Sequence, residues 1–183
     1  MYLSKEEWLS AEKRTDETEN RLLNLAYTTL MNNVYEADGY PWSPYRCISP
    51  ARSLPGLAGA FTGVWNWDSA FHAVGVSRWD TALAKEALLG FMQFQKENGL
   101  FPDVMFESGV LVDQFSKPPV LGWACEIVYK RDKDREFLQK VYPMLVKNEA
   151  YWLENRMRDG LLHYDSEDKG SKDYELHVRY ESG

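Results

Sequence analysis

Four short stretches carry the residues whose types and spacing point to chemistry. Trp65, Trp67 and Asp68 fall within GVWNWDSAFHAVGV, where a carboxylate sits between indoles on an otherwise apolar segment. Phe101, Pro102 and Asp103 follow in GLFPD, then Ser116, Lys117, Pro118 and Pro119 in FSKPPV, and finally Arg179, Tyr180 and Glu181 in VRYESG. Carboxylates and a lysine among aromatic rings suit a saccharide: rings stack on the apolar faces of the sugar, while Asp and Lys hydrogen-bond its hydroxyls. A charge on so apolar a segment must be paired or face a cavity. Asp68 also fits a plain helix cap, and the pattern alone leaves both readings open.

Other chemistries lack their residues. His72 lies one helical turn after Asp68, but a lone histidine on an apolar face reads as a hydrogen-bonded core residue. His163 and His177 have no partner at metal-ligand spacing, and the sequence contains no HExxH or Cys/His cluster, so no metal is expected. The run from Asp165 to Leu176 resembles a calcium loop only superficially: Lys169 falls where a ligand is required, and Leu176 where the bidentate Glu belongs. It reads as a solvated acidic loop. Phosphate-cradling glycine motifs and the nucleophile elbow of serine hydrolases are missing too, and no cofactor is expected.

The elements that must position these residues are helical. Leu22, Leu23, Ala26, Tyr27, Leu30 and Met31 recur at helical steps within 5–33, after which Asp38, Gly39, Pro41, Pro44, Pro50, Pro55 and Gly56 mark a long irregular segment. Irregular stretches of such length are commonly functional. The segments Trp67 to Val76 and Pro118 to Tyr129 are apolar on nearly every face. Asp80 to Asn98 is amphipathic, with Leu83, Ala87, Phe91 and Phe94 on one stripe and Gly99 as a stop signal, and so is Asp134 to Asn155, where Pro143 must kink the helix or begin a second. A helix that is apolar all round is buried, and an amphipathic one faces solvent on one side. Inner and outer helices therefore alternate, as in stacked hairpins forming two layers, and the expected fold class is all-α. In such an array the loops leading into the inner helices meet at one end, which gathers the four stretches.

The 183 residues suffice for one domain, read as a single α/α domain over 1–183. Its layer pattern lacks a closing helix, which makes the domain incomplete and leaves an apolar inner face to be covered by further chain or by a second chain. A net charge of -7 argues against nucleic acid or an anionic membrane as partner, and a small neutral molecule fits better. The opening residues lack the pattern of a secretory leader, no apolar run approaches a membrane span, and Cys47 and Cys125 read as free thiols; the expected location is cytoplasmic.

The blocks WNWDSAFHAVG, FMQFQKENGLFPD, SKPPVLGWA and the terminal YESG, in this order, resemble the catalytic domain of glycoside hydrolase family 63, especially its mannosylglycerate hydrolase and α-glucosidase-like members. They are similar as well to the trehalases, which share the (α/α)6 toroid. The likeness runs from about Leu30 to Gly183. It implies the N-terminal portion of a toroid and an inverting hydrolase of α-glycosidic bonds, with an Asp acid and a Glu base about 6.5–9.5 Å apart. In these families the acid follows an E-S-G triplet by about two residues, and the base lies further on. The resemblance thus puts both catalytic carboxylates beyond Gly183. It leaves Trp65, Trp67, Asp68, Asp103, Lys117 and Glu181 as the substrate-binding set. Lys117 departs from the family pattern, which has Gln before the double proline. A scaffold that merely binds sugar or associates with itself is the competing reading.

Overall fold

A computed structural model describes residues 1–52, 61–113 and 117–162. Among these residues six helices carry the fold: α1 Lys5–Ala11, α2 Glu17–Asn32, α3 Asn66–Val76, α4 Thr81–Met92, α5 Leu121–Asp132 and α6 Arg135–Asn155. The all-α reading holds, with one addition: seven two-residue strands pair in the connections. These are β1 Val34–Tyr35, β2 Cys47–Ile48, β3 Val64–Trp65, β4 Val104–Met105, β5 Leu111–Val112, β6 Met157–Arg158 and β7 Leu161–Leu162. Two residues are too short for an alternating pattern to register in the sequence.

Capping decides where the helices begin. Ser4 and Glu7 form a reciprocal capping box on α1, and Asp16 accepts the amides of Thr18 and Glu19 at the start of α2. The continuous helical pattern expected from Lys5 to Asn33 is therefore two helices, because a capping residue such as Asp16 has to leave helical geometry. Asp80 and Asp134 cap α4 and α6 in the same way. One helix runs through Pro143. The proline lies on the exposed side of α6, where water can satisfy the carbonyl that its missing N–H leaves open.

α3 packs on α4 and α5, α4 on α5 and α6, and α5 on α6, so that α3 and α5 form an inner layer and α4 and α6 an outer one. Ala70, Ala73, Val76, Leu83, Ala87, Leu88, Phe91, Ala124 and Val128 fill the space between them. α4 departs from the expected amphipathic outer helix. Most of its residues are buried, since the proline-rich segment before β2 covers its outer side. Trp42 is fully buried there, Gln93 Nε2 donates to the Trp42 carbonyl, and Arg46 makes a two-pronged ion pair with Glu86. A side chain at Gly90 would meet Cys47 Sγ at 2.3 Å, so only glycine admits this close approach. α4 also ends at Met92, earlier than expected, and Gly99 serves instead in the turn that follows, at φ +97 and against the Lys147 carbonyl.

The inner layer is less enclosed than its composition suggests. Ala73 is buried and Val74 packs on the core, but Phe71, expected in the core, is 51% exposed. It makes an edge-on contact with Trp123 of α5, itself 44% exposed. An apolar residue is buried only when something lies opposite it, and no described element covers this side of α3 and α5.

Candidate functional site

β3, β4 and β5 form a small antiparallel sheet with β4 in the middle. Trp65 pairs with Val104 across it, and Asp103 donates its backbone amide to the Val112 carbonyl. Gly63 enters β3 at φ +116, where a Cβ would sit 2.4 Å from the Met105 carbonyl oxygen. The buried side chain of Asn66 donates to the Pro102 carbonyl, and its backbone amide to the Asp103 carbonyl. These bonds tie the start of α3 to the loop that carries Asp103.

A cleft of about 510 Å³ opens at this point, lined by Pro50, Phe61, Trp65, Trp67, Asp68, Asp103, Val104, Phe106, Val112 and Lys117. Five of the six residues singled out by the sequence, Trp65, Trp67, Asp68, Asp103 and Lys117, come together here at the entries to α3 and α5. Glu181 lies outside the described residues, as do Ser116, Arg179, Tyr180 and the acidic run from Asp165 to Leu176. Phe61 and Phe106, which flank the Trp65 ring at 5.5 and 5.7 Å, escaped the sequence reading. A signal for Phe106 was available: MFESGVLV is a hairpin pattern, two apolar runs around a glycine-containing turn, and Gly109 indeed adopts φ +86.

Two charges of the cleft, Lys117 and Asp103, are buried and face one another. Lys117 Nζ lies 3.6 Å from Asp103 Oδ1, and the two side chains are 8% and 6% exposed. The same ammonium stands over the Trp67 ring, 5.7 Å from its centroid, in cation–π geometry. Asp68 is the third residue of α3, whose cap position is held by Trp65 without any side-chain bond, so Asp68 is not the cap. Burial pushes its carboxyl above the ordinary range, while its own backbone amide and the Lys117 charge pull it part of the way back. The positive end of α3 also favours the ionised form. The cleft thus offers one buried and one half-buried carboxylate, one ammonium and aromatic walls, a set that can orient a hydroxyl-rich ring.

His72 points elsewhere. Its Nδ1 lies 3.3 Å from the Ile48 carbonyl, which can only accept, so Nδ1 carries the proton of a neutral ring; burial lowers its pKa to about 4. Cys47 and Cys125 are separate, free and buried. Among the described residues no group of three or more potential metal ligands occurs, and no helix is long and apolar enough to cross a membrane.

Comparison with known proteins bears on the family and the fold. The chain is similar to the uncharacterized protein YMR196W of Saccharomyces cerevisiae, 28% identical over 103 residues, which is 52% of this chain and 9% of that protein. Its fold resembles a GH63 mannosylglycerate hydrolase from Thermus thermophilus solved with Tris, with a TM-score of 0.61 and 23% identity over 74% of this chain and 34% of the other. A structure of that hydrolase with Tris and D-glycerate gives the same TM-score, and an uncharacterized conserved protein from Thermus thermophilus gives 0.59. The chain spans about a third of each of these solved structures. The family model described as the mannosylglycerate hydrolase MGH1-like glycoside hydrolase domain matches residues 62–173, which include β3 to β5, α3 to α6 and most of the cleft. The chain belongs to this family of glycoside hydrolase domains.

Proposed function

We propose that this chain supplies the sugar-binding part of an inverting α-glycosidase acting on α-linked glucosides or related sugars. In this reading Trp65 and Trp67 stack on the ring to be cleaved, Asp68 accepts hydrogen bonds from its hydroxyls, and the Lys117–Asp103 pair holds the cleft in shape. The acid Asp and base Glu come from chain beyond Gly183, where the rest of an (α/α)6 toroid completes the site. Glu181 stands beside the acid. The observation that carries the proposal is the single cleft in which the aromatic rings and the buried charges of separate loops converge. Membership of the glycoside hydrolase family supports it as well.

The chemistry follows from desolvation. A carboxylate partly stripped of water makes stronger hydrogen bonds to a sugar than a fully hydrated one, because less of a hydration shell has to be removed when the substrate enters. Asp68→Asn in the full-length enzyme keeps the shape but turns one acceptor oxygen into a donor. Activity on the cognate glycoside is expected to fall at least about tenfold, the effect of losing roughly one charge-assisted hydrogen bond, with folding intact. Unchanged kinetics would remove Asp68 from the site. Product analysis by NMR, with the first-formed anomer opposite in configuration to the substrate, tests inversion.

A further inference from the structure

A second cleft, of about 490 Å³, adjoins the first, and Pro50 lines both. Its walls include Asn32, Tyr35, Tyr40, Arg52 and Glu107, contributed by the end of α2, by β1, by the proline-rich segment and by the turn between β4 and β5. The last of these belongs to the sheet that forms the first cleft, so one short hairpin borders both spaces.

The aromatic side of this space is rigid, and the exposed Asn32, Arg52 and Glu107 stand around it. The Tyr40 ring stacks on the buried Trp42 at 5.0 Å with planes 5° apart and meets Tyr35 edge-on at 4.8 Å, which fixes it as a rigid wall. Tyr35 Oη donates to Glu107 Oε2 at 2.8 Å, and burial together with this bond keeps the phenol protonated. The Arg52 guanidinium lies over the Tyr35 ring at 4.8 Å and donates through one terminal nitrogen to the Val34 carbonyl. Its Nε and second terminal nitrogen have no hydrogen-bond partner among the described residues, and neither has Glu107 Oε1. A fixed aromatic face, charge-assisted donors and a charge-assisted acceptor therefore stand around one space.

A simple anion would meet Glu107, and a simple cation would meet Arg52. A neutral unit with neighbouring hydroxyls satisfies both, since each hydroxyl donates and accepts. We infer that this second cleft is a carbohydrate subsite, which takes the neutral, hydroxyl-rich unit joined to the sugar held in the first cleft. The inference rests on the reading of the first cleft given above.

The test is calorimetric titration of the full-length protein with glucose, mannose and S-linked α-disaccharides of each, which resist hydrolysis. A disaccharide that fills both clefts is expected to bind at least about tenfold tighter than its monosaccharide, the worth of roughly 1.4 kcal/mol. Arg52→Leu should abolish that advantage and leave the monosaccharide affinity unchanged, and Asn32→Ala, which touches no core contact, should reduce it if the first variant fails to fold. Asp68→Asn should weaken both ligands. A disaccharide advantage untouched by Arg52→Leu and Asn32→Ala, or no advantage at all, overturns the second subsite alone. Tighter binding of a glycoside whose second unit bears a carboxylate, lost in Arg52→Leu, overturns its neutral character. Absence of binding by every sugar overturns the first cleft and this one with it.

Discussion

The buried pair of Lys117 and Asp103 is the feature whose removal has the most predictable consequence. At 3.6 Å, and at the effective dielectric of roughly 20 that describes such sites, two unit charges attract by about 4–5 kcal/mol. Desolvation opposes most of this, so the pair itself contributes little net stability, but taking away one member leaves the other buried with less compensation, at a cost of up to about 3–5 kcal/mol. Asp103→Asn removes the carboxylate that lies 3.6 Å from the Lys117 ammonium, whose side chain is 8% exposed. Asp68 acts on the same ammonium and returns part of the loss. The expected destabilisation is about 2–4 kcal/mol, and the double variant Asp103→Asn with Lys117→Gln should recover at least about 1 kcal/mol of it, because no charge is then left behind. Urea denaturation of the full-length protein followed by tryptophan fluorescence measures all of these variants. A loss below about 1 kcal/mol for Asp103→Asn, or strictly additive effects in the double variant, would refute the argument that these charges are buried and coupled.

Two further outcomes follow from the titrating groups of α3. The folded-state pKa of His72 is depressed to about 4 from 6.5, so the unfolded chain takes up the proton first as pH falls: the stability that depends on neutral His72, up to about 3 kcal/mol, is complete above pH 6.5 and lost towards pH 4. His72→Gln, which can still donate to the Ile48 carbonyl, should flatten that part of the profile in denaturation at pH 7 and 4.5; an unchanged slope contradicts it. Asp68 has the opposite sign. Its folded-state pKa is raised, so stability is greatest below the ordinary carboxylate pKa and declines as pH rises through the folded value. Asp68→Asn should therefore leave the melting temperature at pH 7 unchanged or higher even as activity falls, and a fall of several degrees would contradict burial as the cause of the shift.

The helices were legible because their signals are local and redundant. Continuous apolar runs located α3 and α5, amphipathic patterning located α4 and α6, and the amphipathic stretch begins at Asp80, the residue that caps α4. Five cleft residues could be gathered from separate loops because alternating inner and outer helices bring those loops to one end. What escaped depended on partners distant in sequence. Burial of the outer side of α4 required the Trp42 segment to fold over it, and a lone glycine at position 90 does not announce that approach. Phe71 read as core from its neighbours alone, yet it is exposed for want of a facing element among the described residues. The strand pairs of β3 to β5 hold the cleft together with two residues each, below the length at which a pattern can be read. The second cleft was missed for a related reason. Arg52 and Glu107 are ordinary polar residues in loops, and only their placement beside Tyr35 and Tyr40 gives them meaning.

The most direct test of the account is a crystal structure of the full-length protein with an S-linked analogue of its α-glycoside substrate. A sugar ring is expected against Trp65 and Trp67, with a hydroxyl within about 3.2 Å of an Asp68 carboxylate oxygen and the Lys117–Asp103 pair unbroken. A ring bound away from this cleft, or seated in it with Asp68 turned from every hydroxyl, would contradict it.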